Sequence, residues 1–208
     1  LKLLVTAFGP FPGMPRNPSG MLVAALARRH GKRLQRLGIT LVTAELPVVY
    51  AQIDGTLDHL YRTEKPDAVL HVGVAGRRRA MSVETRAVNR LHPLRQDASR
   101  HVASSASILP GTAAILPARW PAAALQAAMR GAGARTHLSI DAGDYVCNQT
   151  LYLTLARTRL PAGFIHIPRV RGRRRFSKGS TQLPRFEDML AALLCACLVL
   201  SVRARRQA

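Results

Sequence analysis

Cys147 lies in the stretch Asp141 to Tyr152, D-A-G-D-Y-V-C-N-Q-T-L-Y, and is the only one of three cysteines outside an apolar C-terminal segment. Gly143 stands four residues before it and an amphipathic run follows, which predicts a turn feeding a helix with Cys147 near its first turn. Free backbone N–H groups and the positive dipole end of such a helix favour a thiolate. The same N–H groups could hold the oxyanion of an acyl-transfer intermediate. A thiol at neutral pH also needs a base, and the base needs a carboxylate that fixes its tautomer. His166, just ahead of Pro168, and Glu84, in a segment otherwise poor in acids, are of those types. Each has a plainer reading. Cys147 could be a small buried hydrophobe, His166 a core histidine bonded to backbone, and Glu84 a partner for an arginine such as Arg86. Residue types alone leave both readings open.

Positions 84, 147 and 166 can meet only if the chain folds to bring them together. Leu3 to Phe8 is a short apolar run expected to form a buried strand, broken by the turn G-P-F-P-G. Asn17 suits an N-cap and Pro18 a first helical position, predicting a helix through about His30 with Gly31 as its stop. Ile39 to Ala44 reads as a second strand, and Tyr50 to Arg62 as a helix with Ile53, Leu57, Leu60 and Tyr61 on one face. Ala68 to Val74 is a third strand, followed by a glycine-punctuated loop and an extended segment from Ala80 to Val88. Leu91 to Leu116 has mixed polarity and supports no assignment. Pro121 to Arg130 is an Ala-rich helix, Thr136 to Ile140 a strand and Gly163 to Ile167 another. Arg169 to Gln182 reads as an exposed basic loop, and Leu183 to Arg203 as a last helix beginning at Pro184. Its apolar face (Leu190, Leu193, Leu194, Cys197, Leu198) suits a core or a subunit interface. Strands apolar on both faces, alternating with helices, predict an α/β fold with a mostly parallel sheet covered on both sides. Such folds place chemistry beyond strand ends and at helix starts, which is where Cys147, His166 and Glu84 are expected.

The 208 residues suit one domain, 1–208, with aliphatics filling the interior: 48% of residues are hydrophobic and 5% aromatic. No apolar run approaches the ~20 residues that span a bilayer, and the cysteine pattern fits neither disulfides nor zinc, so a cytoplasmic location is expected. Lys and Arg total 31 against 11 Asp and Glu, a net charge of +20. That balance raises nucleic acid as a partner. However, the arginines are scattered and lack the aromatic interleaving of single-strand binders, so nucleic-acid binding is not expected. Two basic clusters stand out, Arg77 to Arg79 and Arg169 to Arg175, and those at Arg77 and Arg171 to Arg175 are expected to remain solvent-exposed.

Five separated blocks carry a resemblance. T-A-F-G-P-F-P-G-M-P-R-N-P-S (Thr6 to Ser19), H-V-G-V-A-G-R (His71 to Arg77), E-T-R-A-V-N (Glu84 to Asn89), A-G-D-Y-V-C-N-Q-T-L-Y (Ala142 to Tyr152) and G-F-I-H-I-P (Gly163 to Pro168) follow one another through most of the chain. In order and spacing they resemble the pyroglutamyl peptidase I family of cysteine peptidases. The resemblance implies a three-layer α/β/α sandwich, no metal or cofactor, a homo-oligomer (commonly a tetramer) and removal of N-terminal pyroglutamyl residues from peptides. It casts Cys147 as nucleophile, His166 as general base and then acid, and Glu84 as the orienter of His166. Phe8, Phe11 and Asn17 match positions near the pyrrolidone ring, Val146 and Val74 belong to the substrate side, and Arg95 is the candidate for an arginine near the oxyanion. Two aromatic faces suit a flat, uncharged lactam. Pro12 and Arg77 stand where the family has Gly, and Ala7 where Gly is common. These departures put rate and substrate range in question. An inactive relative or a nucleic-acid-associated basic protein are the alternative readings.

Overall fold

The structure is a computed structural model that describes residues 1–170 and 183–206. The expected basic cluster at Arg171 to Arg175 lies outside the described residues. Six strands form the central sheet: β1 (Lys2–Phe8), β2 (Thr40–Leu46), β3 (Ala68–Val74), β4 (Met81–Glu84), β7 (Thr136–Ser139) and β8 (Ala162–Ile167). Their order is β2-β1-β3-β8-β4-β7. The first four run parallel, β4 is antiparallel to β8, and β7 is parallel to β4.

Alternate side chains of the central strands enter two separate cores, as a two-residue period requires. Leu3, Val5, Ala7, Leu70, Val72, Ile165 and Ile167 pack with helices α1 (Pro18–Arg36), α3 (Ala122–Gly131) and α5 (Phe186–Arg205). Leu4, Phe8, Val69 and Phe164 pack on the opposite face with α2 (Tyr50–Glu64) and α4 (Val146–Arg157). The result is the expected α/β/α sandwich. Among the described residues, no helix is long and apolar enough to cross a membrane.

Most boundaries shift by one or two residues from the sequence reading, the Ala80 to Val88 segment divides into two strands, and larger differences fall at α1, α5 and 91–116. Helix α1 is capped as expected, Asn17 Oδ1 accepting from Ser19 N at 3.1 Å, but it runs through Gly31 to Arg36. Gly31 faces open space, and burial of Leu34 against the sheet rewards another turn. The helix ends at Arg36 with Leu37 as its C-cap, and the chain leaves it through Gly38, whose φ of +71° suits glycine. Helix α5 starts at Phe186, not Leu183, and Leu190, Leu193, Leu194 and Cys197 are buried within this chain's own core. The unassigned 91–116 segment contributes only the start of β6 (Ile115–Pro117), which pairs antiparallel with β5 (Arg86–Val88). Polar anchors hold the rest. Asp97 Oδ2 accepts from Tyr50 N, and the two amide atoms of Asn89 bond the backbone of Leu109. Such long-range side-chain bonds leave no periodic trace in a sequence.

Candidate active site

Cys147 is the second residue of α4. The turn ahead of it is closed by Asp141 Oδ1, which accepts from Gly143 N at 2.9 Å, with Gly143 at φ +84°. Tyr145 at the N-cap makes no side-chain capping bond, so the first N–H groups of α4 remain open to a ligand. The sulfur rests on the sheet because β3 offers it a glycine. A Cβ on Gly73 would stand 3.1 Å from Cys147 Sγ and 2.7 Å from the Phe164 ring.

Glu84, at the end of β4, is wholly buried. Its Oε1 accepts from His166 Nδ1 at 2.8 Å and from Arg78 Nη1 at 2.6 Å. The bond at Nδ1 directs the second ring nitrogen of His166 to act as acceptor. Trp120 Nε1 donates to the Glu84 carbonyl at 3.0 Å, and Trp120 fits there because Gly163 lacks a side chain that would overlap its ring. Arg78 also donates through Nη2 to the Asp141 carbonyl at 2.5 Å, tying the Cys147 turn to the Glu84 carboxylate. Arg78 is therefore half-buried inside a cluster expected to be exposed, whereas Arg77 and Arg79 are exposed. A buried carboxylate with one histidine partner retains acceptor capacity, and one arm of the guanidinium takes part of it at Oε1. Glu84 Oε2 is left without a partner. Neither Arg78 nor Trp120 belonged to the sequence-derived site. The only signals were one more arginine in a run of three and the sole tryptophan.

Burial lowers the pKa of His166, the hydrogen bond and charge of Glu84 raise it, and Arg78 lowers it. The net effect is downward, so the imidazole is held neutral. Burial pushes the Cys147 thiol up to about 12, with Arg95 and Arg78 opposing and Glu84 adding to the rise. The thiolate expected from the helix start is thus overturned: desolvation between the sheet and α4 outweighs the dipole and the arginines. A resting thiol beside a neutral imidazole requires proton transfer before it can attack.

Cys147, His166, Val74 and Arg95 share one cleft of about 580 Å³ with Arg77, Arg78, Asp141, Tyr145 and Arg169. No hydrogen bond joins Cys147 to His166, a looseness common before substrate binds. Arg95 lies 4.2 Å over the Tyr145 ring and 3.9 Å from Asp144. Phe8 and Asn17 line a separate depression of about 380 Å³ at the end of β1. The Asn17 amide is engaged with Gly9 O and Ser19. Phe11 bridges to Met14 and packs on the α2/α4 core, where Val146 is buried outright. The structure thus gathers Cys147, His166, Glu84, Val74 and Arg95, and leaves Phe8, Phe11, Asn17 and Val146 off the lining of that cleft. Among the described residues, no group of three or more His, Cys, Asp or Glu could hold a metal ion.

A thiol, an imidazole and a buried carboxylate at the strand ends of an α/β sheet are the groups of a cysteine hydrolase. The profile of the pyroglutamyl peptidase family matches residues 1–200. A pyrrolidone-carboxylate peptidase of Levilactobacillus brevis is 36% identical over 177 residues, 81% of this chain and 82% of that one. One from Thermococcus kodakarensis is 32% identical, covering 81% of each chain. The crystal structure of the pyrrolidone carboxyl peptidase from Thermus thermophilus superposes with a TM-score of 0.81 at 34% identity, covering 95% of this chain and 99% of that one. The chain belongs to the pyroglutamyl peptidase family, whose members are cysteine-type peptidases.

Proposed function

We propose that this protein removes N-terminal pyroglutamyl residues from peptides through a thioester on Cys147. The observation that carries the proposal is the buried Glu84–His166 pair, 2.8 Å apart, opening onto the cleft that holds Cys147 at the start of α4. The lactam is assigned to Phe8, Phe11, Asn17 and Val146, and Val74 lines its approach. His166 takes the Cys147 proton as sulfur attacks the pyroglutamyl carbonyl carbon. The N–H groups opening α4, with Arg95 nearby, hold the tetrahedral oxyanion. His166 then protonates the departing peptide amine, and the C–N bond breaks. Water, deprotonated by the same imidazole, hydrolyses the thioester and returns the proton to sulfur. Glu84 keeps the imidazole oriented throughout and stabilises its charged form. We assign the enzyme to the cytoplasm, acting on pyroglutamyl peptides as a homo-oligomer.

The test is hydrolysis of a pyroglutamyl-linked fluorogenic amide by the wild type and by Cys147→Ser in reducing buffer. Turnover that disappears in the variant is expected. Equal turnover by both would remove Cys147 from the mechanism, and none by the wild type would refute the activity.

A further inference from the structure

Four arginines line the Cys147 cleft, Arg77, Arg78, Arg95 and Arg169. Acids answer two of them: Glu84 faces Arg78 at 2.6 Å and Asp144 faces Arg95 at 3.9 Å. Arg77 and Arg169 form no salt bridge among the described residues, and the stretch 171–182 contains no Asp or Glu. Asp141 is the one acid on the cleft lining; its Oδ1 accepts from Gly143 N, and it forms no salt bridge with either arginine. Arg169 is also placed. Because Gly76 has no side chain, the guanidinium lies over it, and a Cβ there would stand 3.1 Å from Arg169 Nε. Gly76 is the neighbour of Arg77, so the backbone brings the two unanswered cations to one side of the cleft.

Strand order says which side. The residues assigned to the lactam, Phe8, Phe11 and Asn17, stand at and beyond the end of β1. Cys147 Sγ lies over Gly73 of β3. His166, which protonates the departing amine, is on β8, across β3 from β1. Arg77 follows β3 and Arg169 follows β8, so both flank the path of the leaving peptide rather than the lactam.

The geometry points to a leaving-group subsite for a carboxylate, formed by Arg77 and Arg169, which makes acidic pyroglutamyl peptides the preferred substrates. The inference rests on the peptidase reading above. Guanidinium forks match carboxylate geometry. The charge is supplied either by the side chain of an acidic second residue or by the C-terminal carboxylate of a dipeptide. Both arginines are exposed, so the preference is modest, roughly 3- to 10-fold, and salt weakens it.

Four substrates test it through kcat/KM at low and raised salt: pyroglutamyl-glutamate amide against pyroglutamyl-glutamine amide, and free pyroglutamyl-alanine against its amide. The charged member of at least one pair is expected to lead at low salt. Its advantage should shrink with salt and fall toward unity in Arg77→Gly and Arg169→Ala. A lead in the first pair alone assigns the carboxylate to the second residue, and in the second pair alone to the chain terminus. Equal values in both pairs, or a preference that both variants retain, overturn the subsite. Failure of the wild type to cleave any of the four overturns the peptidase reading, and the subsite with it.

Discussion

His71 and His166 occupy neighbouring strands, are both buried, and face the same ring, with Phe164 centred 6.1 Å from one and 4.6 Å from the other. Their partners separate them. His71 is bonded at both nitrogens to hydroxyls, Thr6 Oγ1 at 2.7 Å and Thr154 Oγ1 at 2.9 Å, and Thr154 Oγ1 also meets Tyr61 Oη at 2.7 Å. Burial pushes His71 down to about 3, with no carboxylate opposing it. His166 is lowered by burial too, but Glu84 pulls against the shift and the ring opens onto a cleft holding a thiol. Burial alone does not make a histidine reactive. A carboxylate on the adjacent strand and access to the cleft do.

Removing that carboxylate should have the largest effect. In Glu84→Gln the orientation of His166 and the support of its cation are weakened, and kcat/KM is expected to fall by roughly 10²- to 10⁴-fold. Alkylation of Cys147 by iodoacetamide should slow alongside it, which reports on base function without a substrate. Loss of turnover at an unchanged alkylation rate would place Glu84 outside proton transfer.

Arg78→Met should cost less, on the order of 10-fold in kcat/KM, and should move the pH profile. Arg78 lowers the pKa of His166, so its removal raises that pKa. His166 must be neutral to accept the thiol proton, so the acidic limb of kcat/KM should shift to higher pH. A fall in rate with an unmoved limb would reduce Arg78 to a tether for the Asp141 turn.

His71→Gln should act on stability and leave the acidic limb in place. Above about pH 6.5 the ring is neutral in both folded and unfolded chains. Below that, the unfolded chain binds a proton that the folded one refuses until about pH 3. Stability therefore falls with decreasing pH through that window, by up to about 1.4 kcal/mol per pH unit from His71 alone. Urea unfolding at pH 7 and pH 5 should show the wild type losing about 2 kcal/mol more than His71→Gln between the two. Equal losses would mean that burial does not keep the His71 ring neutral.

Much of the site could be read from residue types. Cys147 follows a glycine turn and starts a helix, His166 ends an apolar strand before a proline, and Asn17-Pro18 marks a cap; all three are local patterns that survived folding. Arg78 departs from that pattern because its partner, six residues on, is the buried carboxylate at the end of β4, and nothing in a run of arginines marks one of them as paired. Trp120 supports Glu84 from 36 positions away, a contact with no periodicity. The acidity of Cys147 failed for a related reason. A helix start is a local property, whereas the desolvation that outweighs it comes from the core against which Cys147 packs.

The sequence by itself determined most of the strand and helix pattern and which side chains could serve as thiol, base and carboxylate, because each depends on neighbours within a few residues, and the order of five blocks carried the family. Tertiary structure alone decided that β4 runs against β8, so that Glu84 meets His166. It also decided which arginines are answered by an acid, and that the thiol rests protonated beside a neutral imidazole. Charge and burial are set by everything within several ångströms, and the fold, not the order of residues, chooses that company.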